Sequence, residues 1–116
     1  LTHGISFITF APGYREKLVA QMPKYLTMSI PAGAYNGVSA PVETVGSGAM
    51  WACRADLDET LVYNMVKAAY SKEGLAYLAK VHAAGAGVSL ENAARWRPIP
   101  LHPGAERFFK EAGVLK

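Results

Sequence analysis

The chain has 116 residues, 51% apolar and 18% charged, which supplies enough apolar side chain for one folded domain and argues against disorder. Its net charge of +3 comes from 12 basic and 9 acidic residues scattered along the sequence, without the clustered basic stripe that tracks phosphates, so nucleic acid is not an expected partner. Cys53 is the single cysteine, which excludes an intrachain disulfide and a cysteine-based metal site, and its apolar setting after Met50, Trp51 and Ala52 predicts a buried, inert thiol.

The chain begins at Leu1 with neither an initiator methionine nor a basic-then-apolar leader, and reads as a fragment or a processed product. Gly4 to Phe10, GISFITF, is β-branched and aromatic and predicts a buried strand. Pro12 and Gly13 then introduce a helix with Tyr14, Leu18, Val19 and Met22 on one face, stopped by Pro23, so that residues 4–23 form a strand-helix unit. Tyr25 to Ile30 is predicted to be extended, Pro31 to Pro41 a turn-rich loop, and Val42 to Arg54 extended again, with Gly46 and Gly48 marking a bulge or a close backbone approach. Between Lys24 and Arg54 the only charge is Glu43, yet Pro31, Gly33, Gly37 and Pro41 interrupt the stretch well short of the ~20 apolar residues a membrane span needs. The chain is therefore not expected to span a membrane.

Asp56, three residues before Glu59, predicts a capped helix start, followed by an apolar face of Leu61, Val62, Met65, Val66 and Ala69. A second helical stretch is expected from Leu75 to Ala83, with Leu75, Leu78, Ala79 and His82 on one side and Gly85 and Gly87 ending it. Ser89 is placed to cap a short helix through Ala94, and the prolines keep Arg97 to Pro100 extended. The last helix is the best marked. Pro103 and Gly104 open it, Gly113 closes it, and Ala105, Phe108, Phe109 and Ala112 share the face opposite Glu106, Arg107, Lys110 and Glu111. Two or three strands near the amino end cannot make a sheet that covers four amphipathic helices, so part of the sheet is expected to lie outside this chain.

Few side chains suggest chemistry. His3, His82 and His102 have no second ligand type at i+3 or i+4, as a zinc-binding helix requires, and read as structural. Val45 to Ala49, VGSGA, lacks both the GxGxxG spacing and the Walker lysine of phosphate loops, and the glycines around Ser47 lack the outer spacing of a nucleophile elbow. No catalytic set, metal site or cofactor is expected. Tyr35 differs: in an almost uncharged loop shaped by glycine and proline, an aromatic ring with a hydroxyl either covers a small ligand or pins the loop to the core.

The order of these segments resembles a known family. PKY at Pro23–Tyr25, IPAGAY at Ile30–Tyr35, VETVG at Val42–Gly46, LVYNMVKA at Leu61–Ala68, and SLENA followed by PIPLHPGAERFFKEAGV make the chain look like the C-terminal part of a TAXI-type solute receptor, the extracytoplasmic binding subunit of a TRAP transporter. It departs from the family's usual threonine at Ala34, from the proline and glutamine that flank Gly37, where Asn36 and Val38 stand, and from the proline expected at Ala83. The resemblance covers roughly Gly4 to Leu115. It implies an α/β fold, the C-terminal portion of a two-lobed periplasmic binding protein of type II, with few strands followed by several helices. Residues 1–116 would be one C-terminal fragment, with residues 25–54 returning between lobes and residues 56–115 forming a helical region. The terminal helix would then pack mainly on parts outside this chain. Tyr35 and Thr44 would meet the ligand, and Pro31, Gly33, Val42 and Glu43 would belong to the hinge and cleft.

The implied function is capture of a small organic solute, an amino acid or carboxylate, and its delivery to TRAP membrane permease subunits, in the periplasm and without catalysis. An isolated fragment would expose apolar surface and self-associate. Two other classes stay open: an enzyme of two-lobed α/β architecture whose catalytic residues lie outside this chain, and a stand-alone regulatory domain.

Overall fold

A computed structural model describes residues 5–116 of the chain, with two antiparallel strands and five α-helices, a mixed content compatible with an α/β class. The chain divides into two compact units, one ending at Met50 and one spanning Trp51–Lys116.

In the first unit, helix α1 (Tyr14–Gln21) starts after Gly13, whose φ of 75° only glycine adopts readily. It packs on a hairpin of β1 (Leu26–Ile30) and β2 (Val42–Gly46), paired antiparallel from Leu26 opposite Gly46 to Ile30 opposite Val42. Gly46 marks neither a bulge nor a close backbone approach: its pairing with Leu26 is in regular register, and a Cβ there would meet only the flexible Met28 side chain. The strand ends at Gly46, and residues 47–54 have no regular structure, shorter than the extension predicted to Arg54.

The predicted strand from Gly4 to Phe10 does not form over residues 5–10, and Gly4 lies outside the described residues. Ile8 is fully exposed, and Phe7 and Phe10 are more than one-third exposed. β-branched composition alone cannot hold a strand; it needs a ladder, and β1 and β2 pair with each other. The predicted face of α1 is only partly covered: Leu18 and Val19 are half-buried, Tyr14 and Met22 are exposed, and no residue of the helix is fully buried.

In the second unit, α2 (Glu59–Ala69) is capped by Asp58, whose Oδ1 accepts the Leu61 N–H at 2.8 Å, and not by Asp56, which the Arg54 guanidinium claims. Of the predicted apolar face, Val62 is buried while Leu61 and Met65 are exposed; the contact side is rotated toward Val62 and Tyr63. Helix α3 (Lys72–Val81) starts three residues before the predicted Leu75 because Ser71 Oγ caps it through the Gly74 N–H at 3.0 Å. His82 and Ala79 are exposed, contrary to the predicted apolar side, and His82 Nδ1 instead accepts the Ala84 N–H in a 3-10 turn, Ala83–Gly87. Ser89 caps α4 (Leu90–Arg95) as predicted.

Helix α5 (Pro103–Glu111) has a partner within the chain, where it packs on α2. Val62, Ala105 and Phe109 form the buried centre, with Val66, Tyr70, Leu101 and Phe108 around it. Gly104 makes this crossing possible. A Cβ on it would lie 2.7 Å from the Tyr63 nitrogen and collide with the Glu59 carbonyl, so the two helix starts touch backbone to backbone. Gly113, at φ 74°, ends the helix, and Val114 and Leu115 fold back with their N–H groups on the Phe109 carbonyl.

Candidate functional site

The loop between β1 and β2 is built from two successive β-turns. Ala34 N–H bonds to the Pro31 carbonyl at 3.2 Å and Val38 N–H to the Tyr35 carbonyl at 3.1 Å. In each turn the third residue is a glycine with positive φ, Gly33 at 78° and Gly37 at 91°, the signature of type II. Gly33 N–H crosses to the Val38 carbonyl at 2.8 Å and ties the turns together, and the Val38 side chain is buried beneath them. The predicted turn-rich loop is thus a defined scaffold, held by two glycines and one apolar plug.

Tyr35 stands at the junction of the turns. It is 42% exposed, and one side of its ring meets Phe7, with centroids 5.9 Å apart and planes inclined at 55°. Thr44 lies on β2 opposite Met28, half-buried, its hydroxyl 3.5 Å from the Val45 carbonyl. No hydrogen bond joins Tyr35 to Thr44 among the described residues.

Val42 and Glu43 pair across the hairpin with Ile30 and Ser29. Glu43 is drawn into an ion pair, its Oε2 2.6 Å from Arg15 Nη1. The Ser29 hydroxyl first, and then Arg15, hold its carboxyl below the ordinary carboxylate range. Arg15 was not anticipated at this site: it lies 28 residues away on a different element, and nothing in its local sequence signals the contact.

Cys53 is exposed, against the prediction of a buried thiol, because the irregular segment after Gly46 does not enter a core. His3 lies outside the described residues. His102 is a structural residue, the N-cap of α5. Among the described residues, no three His, Cys, Asp or Glu side chains gather as metal ligands, and no helix is long and apolar enough to cross a membrane. A groove in the second unit, lined by Arg97, Pro98, Ile99, Leu101, Glu106 and Leu115, includes none of the residues expected at the ligand.

The arrangement is a partly exposed tyrosine on a glycine-shaped loop, next in the chain to a strand whose lone carboxylate is already paired with Arg15. The sequence matches the NMT1-like family over residues 2–113. The chain belongs to the NMT1-like family. That is a family of periplasmic solute-binding proteins, and its members are typically extracytoplasmic. For an NMT1-like chain the relevant ligand class is therefore a small solute.

Proposed function

We propose that this chain is the C-terminal part of a TAXI-type receptor that holds a small organic anion or amino acid between two lobes and delivers it to a TRAP-type membrane permease. Membership of a solute-binding family supports the general role. The observation that carries the residue-level reading is the double type II turn, which fixes Tyr35 at a partly exposed position before any ligand arrives.

In this reading Tyr35 covers the solute and donates its hydroxyl proton to a carboxylate, and Thr44 contributes a second polar contact. Pro31, Gly33, Val42 and Glu43 form the segment about which the lobes close, and the closed, loaded form is the one the permease accepts. The receptor works outside the cytoplasm and transforms nothing, so it needs neither catalytic residues nor a cofactor.

The test is calorimetric titration of the intact receptor with amino acids, mono- and dicarboxylates, and neutral sugars as controls. Saturable heat with a carboxylate-bearing solute is expected; a receptor that takes only the sugars would overturn the anion reading. Uptake into vesicles carrying the permease, with and without receptor, tests delivery separately.

A further inference from the structure

Asn36 and Gly37 occupy the two central positions of the second type II turn, and both are exposed. The turn uses the Val38 N–H and the Tyr35 carbonyl, and the Asn36 carbonyl accepts the Ile5 N–H at 3.0 Å. The Gly37 N–H, which belongs to the central peptide of the turn and lies outside its closing bond, has no partner among the described residues. Gly37 also has no side chain to screen that nitrogen. An asparagine followed by an accessible glycine nitrogen is set up for ring closure on its own side chain.

We propose that Asn36 is a site of spontaneous deamidation. The Gly37 amide nitrogen loses its proton to hydroxide and attacks Asn36 Cγ; the new N–C bond forms as the bond from Cγ to the side-chain nitrogen breaks, and ammonia departs with a proton from water. The resulting five-membered succinimide is opened by one water molecule. Attack at the side-chain carbonyl gives aspartate, and attack at the main-chain carbonyl gives the β-linked isomer. The net change is amide plus water to carboxylic acid plus ammonia.

Both products place a carboxylate one residue from Tyr35, in a stretch from Tyr25 to Cys53 where Glu43 is otherwise the only charged side chain. The β-linked product does more. Its main chain runs through the former side chain and is longer by one carbon, so the turn closed by Val38 N–H on the Tyr35 carbonyl no longer fits. The carbonyl that accepted the Ile5 N–H becomes the free carboxylate.

Asn64, inside α2 before Met65, and Asn92, inside α4 before Ala93, serve as internal controls, since helical backbone and a following side chain both hinder the same attack. The full chain is held at mildly alkaline pH, sampled over time, digested and mapped by mass spectrometry, with isoelectric focusing in parallel. The expected result is conversion at Asn36 ahead of Asn64 and Asn92, as two isomeric peptides of the mass required by replacing NH2 with OH. A species with one added negative charge should appear in step and be lost in Asn36→Gln. Conversion at Asn36 no faster than at the two controls, or an acidic species that persists in Asn36→Gln, would overturn the proposal.

Discussion

The imidazole of His102 reaches back 45 residues to Leu57: Nε2 lies 3.1 Å from the Leu57 carbonyl while Nδ1 accepts the Gly104 N–H at 3.1 Å. A nitrogen that accepts carries no proton, so the ring is the Nε2–H tautomer and donates to Leu57. One side chain thus caps α5 and ties it to the segment that leads into α2. His102→Ala should cost about 1–2 kcal/mol, the cap and the tether together. His102→Asn can restore the cap but is too short for Leu57, and should recover part of that loss. Denaturant melts of the three proteins separate the two contributions.

Gly104 gives a prediction whose sign is informative. In an exposed helix, Gly→Ala stabilises by up to about 1 kcal/mol. Here the new methyl would meet the Glu59 carbonyl and the Tyr63 nitrogen, both backbone atoms that cannot rotate away. Gly104→Ala should therefore destabilise, by about 1–3 kcal/mol as α5 is pushed off α2. A gain in melting temperature would refute the close crossing.

Phe109 and Phe108 are adjacent yet unequal. Phe109 is 7% exposed and meets Tyr70 edge-on at 5.3 Å, whereas Phe108 is only partly buried. Phe109→Ala should cost ~3–5 kcal/mol and Phe108→Ala clearly less. Equal losses in denaturant melts would mean that the helix is rotated from the orientation described.

What was legible in the sequence follows from which forces are local. The α5 boundaries, the Ser89 cap and the glycine-shaped loop depend on residues within a few positions of each other, and the sequence displays them. The strand at residues 5–10, the burial of Cys53 and the face of α2 depend on what lies opposite, and composition does not report that. At the candidate site, Tyr35 and its flanking glycines were visible, but the Arg15 pair with Glu43 and the ring contact with Phe7 join separate elements and left no local trace. Asp56 shows the remaining difficulty: two aspartates stand just before α2, and the neighbouring Arg54 decides which is left free to cap.

Glu111 predicts a pH dependence of the α2–α5 contact. Its Oε2 accepts the Tyr63 hydroxyl at 2.6 Å, and Arg107 approaches Oε1 at 3.2 Å while lying over the Tyr63 ring. The Tyr63 hydroxyl first, with Arg107 and Lys67 assisting, holds the Glu111 carboxyl below its ordinary value of 4.5. A carboxylate depressed in the folded state stabilises above its unfolded pKa, and that contribution is lost as pH falls through the folded value. Tyr63→Phe removes the main cause. The stability gap between the two proteins should be full above pH 4.5 and narrow below it. A gap independent of pH down to acid unfolding would assign the effect of Tyr63 to packing alone.

Tyr35 allows the ring and the hydroxyl to be tested apart. Its ring leans on Phe7, a contact that Tyr35→Phe preserves, so the unliganded receptor should melt unchanged in that variant. If the hydroxyl donates to a solute carboxylate, Tyr35→Phe loses a charge-assisted hydrogen bond worth ~1.5–3 kcal/mol, roughly ten- to hundredfold in affinity. Tyr35→Ala should lose more affinity and also the aromatic contact, about 0.5–1.5 kcal/mol of stability. Ligand titrations of both variants in the intact receptor, with melting temperatures measured without ligand, decide the matter. Unchanged affinity in Tyr35→Phe beside a destabilised Tyr35→Ala would make the residue an anchor between the loop and Phe7, and the solute contact would have to be sought elsewhere.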